Sequence, residues 1–169
     1  MKSTYKRHGT VNLFAALEVA TGVIRGKTTQ TKKRADFQAF MEEVIAEQPA
    51  DRQIHVILDN LNTHKKNEEW LSRHPNVTFH FTPTSASWLN QVEIWFGILQ
   101  RKTLNNASFR SIEQLTQAIH DFTAAYNAYN HALDAQGRPV AALLGRAGAR
   151  LFLGDRDGAF GDLTSAVDT

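Results

Sequence analysis

Between residues 11 and 126 the apolar positions switch between a period of two and a period near 3.6, and the switches mark out the elements. Residues 11–19 are largely apolar, Thr21-Gly22 supplies a turn, and residues 23–28 continue extended, so the first pair reads as a β-hairpin. Phe37, Phe40, Met41, Val44 and Ile45 then recur three and four apart, with Asp36 in the first turn and Pro49 just past the end, which predicts an amphipathic helix. The β-branched run 54–58 predicts a strand that ends at Asp59. Residues 64–73 read as a short helix with Trp70 and Leu71 inward, stopped by His74-Pro75-Asn76. Residues 77–81 alternate Val77, Phe79 and Phe81 against Thr78 and His80, a strand pattern. Pro83 and a Ser/Thr cluster end it, Ser85 or Ser87 can cap a following helix, and Trp88, Val92, Phe96 and Leu99 form that helix's stripe. A last helix is predicted over 111–126, with Ser111 as cap and Ile112, Leu115, Ile119 and Phe122 as its face.

Two of these elements deliver a carboxylate. Asp59 sits at the C-terminal tip of a strand, where ligand sites of open α/β sheets gather. Glu93 flanks the stripe of the helix that follows Thr82-Pro83, with Asn90 one turn before it. A strand tip and a neighbouring helix can hold two carboxylates at the separation a divalent metal needs, the arrangement of metal-assisted phosphoryl transfer. Each acid also has a plainer explanation: Asp59 as a turn former, Glu93 as a complement to the helix dipole. Thr63-His64-Lys65 reads two ways as well, as a His and a Lys set against DNA phosphate or as an N-cap by Thr63 or Asn62 with exposed neighbours. Trp88, Trp95 and Phe96 fit a core stripe better than a base-stacking platform.

Composition narrows the classes. The 169 residues suit one globular domain, and the formal charge of +2 gives only a mild preference for an anionic partner. Lys and Arg cluster at positions 2–7, 25–34, 65–66 and 101–102, which serves a DNA track or an ordinary solvated surface equally well. Cysteine is absent, which excludes disulfides and thiolate zinc sites, and no HExxH spacing occurs. No apolar run reaches the length of a membrane span and no signal-peptide pattern opens the chain, so a cytoplasmic location without a membrane partner is expected.

The run His80-Phe81-Thr82-Pro83-Thr84-Ser85-Ala86-Ser87-Trp88-Leu89-Asn90-Gln91-Val92-Glu93, with Leu58-Asp59-Asn60 and Thr63-His64-Lys65 upstream and Tyr5-Lys6-Arg7-His8-Gly9-Thr10 near the start, resembles the catalytic domain of bacterial insertion-sequence transposases of the mariner-like DDE superfamily. The resemblance covers about residues 5–127. It implies an RNase H-like fold and an acid triad that uses Mg²⁺ or Mn²⁺ to nick DNA at transposon ends and join them to a target. By position, Asp59 matches the second acid and Glu93 the third, both as metal ligands, with His64 and Lys65 as DNA contacts. The first acid has no match. In the family it lies on a central first strand, upstream of the segment matched by residues 5–10, and Met1 stands only four residues before Tyr5.

The expected architecture is therefore α/β: an RNase H-like mixed sheet lacking its first strand over residues 1–127, then a helical tail over 128–169. Within that tail, residues 140–167 resemble a single tetratricopeptide helical hairpin, broken near Gly154-Asp155. A junction between a shortened transposase sequence and unrelated sequence is expected near residues 126–131. The expected function is DNA transposition in an inactive copy. Two alternatives stand beside it: an RNase H-like nuclease that recruits Glu18 or Asp36 as its first acid, and a non-catalytic interaction protein that uses the tail. The sequence leaves a homo-oligomer open.

Overall fold

The computed structural model describes residues 9–83, 90–105 and 107–135. Their elements are β1 (Asn12–Leu17), β2 (Ile24–Thr29), α1 (Arg34–Ala46), β3 (Ile54–Leu58), α2 (Glu68–Ser72), β4 (Val77–Phe81), α3 (Val92–Leu99) and α4 (Ile112–Ala135); a π-helical turn, Gln100–Leu104, continues α3. The α/β class is as expected, but the sheet is divided. β1 and β2 form one antiparallel pair, β3 and β4 a separate parallel pair, and among the described residues no strand joins them. The proposed caps Ser85 and Ser87, Trp88 and the helical hairpin over 140–167 lie outside the described residues.

One helix holds the two pairs together. Phe37, Phe40 and Met41 on α1 are buried in a cluster with Phe14 of β1, Leu58 of β3 and Val77 of β4. The ring of Phe14 lies 5.8 Å from Phe40 and 6.4 Å from Phe37, and the ring of Phe37 lies 6.0 Å from Phe79. Each aromatic side chain buried this way contributes about 1.5–3 kcal/mol of transfer free energy. Trp70 completes this core from α2, stacked on Phe79 at 5.6 Å and donating its indole N–H to Glu42 at 2.8 Å. Along the open side of the hairpin, Arg25 and Lys27 of β2 form ion pairs with Glu47 and Glu43 of α1.

These contacts also fix strand direction. The Arg25–Glu47 pair sets the beginning of β2, and so the end of β1, at the C-terminal end of α1. The N-terminal end of α1 faces the loop after β3: Arg34 donates to the Lys65 carbonyl at 3.2 Å and Gln38 to Asn67 at 2.8 Å. β1 therefore runs opposite to β3.

The other face of the hairpin is covered by α3 and α4. Ile24, Trp95, Leu99 and Ile119 are buried there, joined by Leu13, Ala15 and Leu17 from β1 and by Phe122 and Tyr126 from α4. α4 does not stop at 126. It crosses the expected 127/128 boundary unbroken because Asn127 accepts the Ile24 N–H and donates to the Ile24 carbonyl, both at 2.9 Å, and Asn130 donates to the Gly22 carbonyl at 2.8 Å. Gly22 has φ +70°, which suits the glycine of a tight turn.

At its start, α1 relies on Asp36, whose carboxylate accepts the Thr31 hydroxyl and the Lys33 N–H, the latter at 2.8 Å. The Thr31 hydroxyl above all, then the Lys33 N–H, holds this carboxyl below its ordinary range. Folding thus lowers the proton affinity of Asp36. Its contribution is complete above the ordinary aspartate range and is lost as pH falls through that range and below.

Two outcomes follow for stability. Phe37→Ala, which opens a cavity where the two strand pairs meet, is expected to cost about 3–5 kcal/mol in urea denaturation, whereas Ile94→Ala, at a site 62% exposed, should stay within about 0.5 kcal/mol. Asp36→Ala should lower Tm at neutral pH, and the difference should shrink as pH is taken below about 4. Thermal melts across pH check this; a difference that stays constant would contradict it.

Candidate active site

Asp59 follows directly on β3, so the strand's core-facing Leu58 fixes the backbone on which the acid stands. One carboxylate oxygen, Oδ1, accepts the Leu61 N–H at 3.1 Å in a local turn and lies 2.7 Å from Nδ1 of His64. The imidazole approaches off the line of a good hydrogen bond, because its ring is held against Phe37 at a centroid distance of 4.5 Å, tilted by 40°. The second oxygen, Oδ2, has no partner among the described residues. Asp59 is thus clamped through one oxygen and half open through the other, with 38% of its side chain exposed.

The loop behind Asp59 differs from the expected helix over 64–73. α2 begins only at Glu68, because Lys66 takes a left-handed conformation, φ 56°, that a helix cannot contain. Neither Thr63 nor Asn62 caps it. Asn67, 4% exposed, holds the loop instead: its side-chain N–H group reaches the carbonyls of His64 at 2.8 Å, Lys65 at 3.3 Å and Thr63 at 3.4 Å. This residue was not singled out by the sequence, where an Asn before two Glu residues reads as a surface position. His64 is turned inward, only 14% exposed, while Lys65 is exposed.

Glu93 stands in the first turn of α3, with its N–H on the Asn90 carbonyl at 2.9 Å and its side chain exposed. Trp95 and Leu99 anchor that helix against the hairpin. Asp59 and Glu93 consequently line the same cleft, about 770 Å³, which runs between β1 and β3 over Phe37 and Phe40. Lys32, His64, Asn90 and Gln91 line it too.

The two acids considered as substitutes for the first carboxylate do not join this pair. Glu18 also lines the cleft but stands just past the end of β1, 3.6 Å from Arg25 and bonded to Thr21 at 2.9 Å. That is the C-terminal end of α1, about 20 Å along the helix from the Asp59 end. Asp36 is at the right end but spends its carboxylate on the α1 N-terminus and does not line the cleft. Among the described residues no group of three His, Asp or Glu side chains is placed to hold a metal ion. Two carboxylates, one with an unpartnered oxygen, are nevertheless the hard donors that suit Mg²⁺ or Mn²⁺, which take one or two carboxylates and complete their shell with water and phosphate. No helix among the described residues is long and apolar enough to cross a membrane.

A sequence model described as DDE superfamily endonuclease matches residues 2–116, a stretch that contains Asp59, His64, Lys65 and Glu93. No curated protein and no solved structure matches the chain. The match spans more than half of the sequence, and the α/β elements agree with it, so the chain belongs to the DDE superfamily endonucleases, with a transposase-like nuclease domain.

Proposed function

We propose that this domain derives from the catalytic part of a DNA transposition enzyme, that Asp59 and Glu93 are its surviving divalent-cation ligands, and that the chain by itself neither nicks nor joins DNA. The observation that carries the reading is that two acids 34 positions apart, from a strand tip and a helix, line one cleft in a chain of this family. Mg²⁺ or Mn²⁺, when bound, would supply charge stabilisation at the reacting phosphate and a more acidic water.

The residues around the acids have distinct tasks in this reading. His64 and the Leu61 N–H fix the rotamer of Asp59 through Oδ1, which leaves Oδ2 for the cation. Phe37 in turn fixes His64. Lys32 on the cleft and the exposed Lys65 offer charge to the phosphates of a DNA strand, transposon end or target. A DNA-joining centre also needs a carboxylate shared between two cations, and among the described residues none stands beside Asp59 and Glu93. Misplacing a reacting group by about 1 Å can cost a hundredfold, so an incomplete ligand set is expected to abolish turnover.

Nicking of supercoiled plasmid and joining of a pre-cleaved duplex oligonucleotide, each with Mg²⁺ or Mn²⁺, should give no product above the protein-free control. Product that vanishes in Asp59→Asn and Glu93→Gln variants would contradict this. Calorimetric titration with Mn²⁺ should detect one weak site, and His64→Phe, which keeps a ring against Phe37 and removes the nitrogens, should weaken it by about 10–100-fold. Unchanged Mn²⁺ affinity in that variant would remove His64 from the site.

A further inference from the structure

The sheet formed by β3 and β4 has a second face that neither the core nor the two acids use. Ile54, Val56 and Leu58 of β3 and Val77 and Phe79 of β4 pack towards α1, so by the alternation of a strand His55 and His80 stand on the face turned away from it. The parallel register sets Thr78 beside His55 and His80 beside Ile57, which puts the two imidazoles on a diagonal that side chains of their length span. They meet there. Nδ1 of His55 lies 3.0 Å from Nε2 of His80, with the ring centroids 5.2 Å apart and the planes at 44°. His55 is exposed and His80 half-buried. Two bare imidazole nitrogens at that distance would set lone pair against lone pair, so a proton or a cation has to stand between them.

We propose that His55 and His80 form a two-histidine chelate for a late first-row divalent ion, Cu²⁺ or Ni²⁺, which ties β3 to β4. The spacing selects the ion. Metal–imidazole bonds of about 2.0–2.1 Å drawn from nitrogens 3.0 Å apart meet at about 91–97°. That is the angle between neighbouring ligands in the square-planar or tetragonal shell of Cu²⁺ and Ni²⁺, and it is too narrow for the tetrahedral shell of Zn²⁺. Neutral imidazole is also a donor that these ions favour, whereas Mg²⁺ takes oxygen. On binding, the proton shared by the two nitrogens leaves to solvent, and both rings swing slightly so that their lone pairs converge on the ion, for which the exposed face leaves room. Among the described residues no third His, Asp or Glu joins the pair, so water completes the shell and the ion stays open to an outside ligand. Asp59 stands four residues further along the chain from His55, about 13 Å away at the rise of a strand. The two sites are separate, and this one is independent of the nuclease reading.

The test uses the full chain and the metal salts alone. Calorimetric titration with Cu²⁺ and with Ni²⁺ should show one site that fills before any other, tighter for Cu²⁺ than for Ni²⁺ and unaffected by excess Mg²⁺. His55→Ala and His80→Ala should each weaken that site at least about tenfold, and the double variant should be scarcely weaker than either single one, because a chelate is lost once one arm is gone. His120→Ala, at an exposed position on α4, should leave it unchanged. Substoichiometric Cu²⁺ should broaden the backbone amides of His55 and His80 together in the unaltered chain, a readout that stands if either variant fails to fold. Absence of a Cu²⁺ site, broadening centred on another histidine, affinity that survives either substitution, or losses that add up in the double variant would each overturn the proposal.

Discussion

Phe37 is the point on which the structure turns. Its ring meets Phe14 of one strand pair, Phe79 of the other and His64 of the loop that follows Asp59, at centroid distances of 6.4, 6.0 and 4.5 Å. No backbone ladder links β1 to β3, so the relative placement of the two pairs depends on their side-chain contacts with α1 rather than on a shared ladder. Close packing is stiff, and that stiffness is transmitted through His64 to one oxygen of Asp59. The candidate site is thus positioned by a hydrophobic contact one residue removed from it.

A division of labour between the two faces of the hairpin explains the rest. Residues of β2 that face α1, Arg25 and Lys27, reach its solvent flank and pair with Glu47 and Glu43. Residues that face the other way, led by Ile24, enter the core with Trp95 and Ile119. This second core carries α3, and with α3 it carries Glu93. One acid is therefore placed by the first core and the other by the second, and the hairpin, which belongs to both, keeps them on one cleft.

The elements whose cause is local were legible in the sequence. The hairpin turn at Thr21-Gly22, the stripe of α1 and the alternation in β4 all depend on neighbours within a few positions, and each element stands where the pattern put it. The family was legible as well, and the matched stretch, residues 2–116, contains the motifs around Asp59 and Glu93. Features with distant causes were not. α4 continues to Ala135 because Asn127 and Asn130 bond to the hairpin turn more than a hundred residues away, and on a helix such asparagines look like surface. α2 starts late because Lys66 is left-handed, next to a Lys65 carbonyl held by Asn67 and Arg34, a constraint no periodicity encodes. The inward turn of His64 needs Phe37, 27 positions earlier, and the substitutes Glu18 and Asp36 fail for reasons visible only once α1 sets the two ends of the cleft apart.

The central claim is that Asp59 and Glu93 serve one cation. Paramagnetic broadening by substoichiometric Mn²⁺, read on backbone amides, tests it most directly, because the effect falls off steeply with distance from the ion. The account predicts that the amides of Asn60 and Leu61 and those of Glu93 and Ile94 broaden together, along one titration curve, while the amides of Thr21 and Gly22 at the far end of the hairpin do not. Broadening confined to one of the two segments, or separate curves for the two, would contradict it.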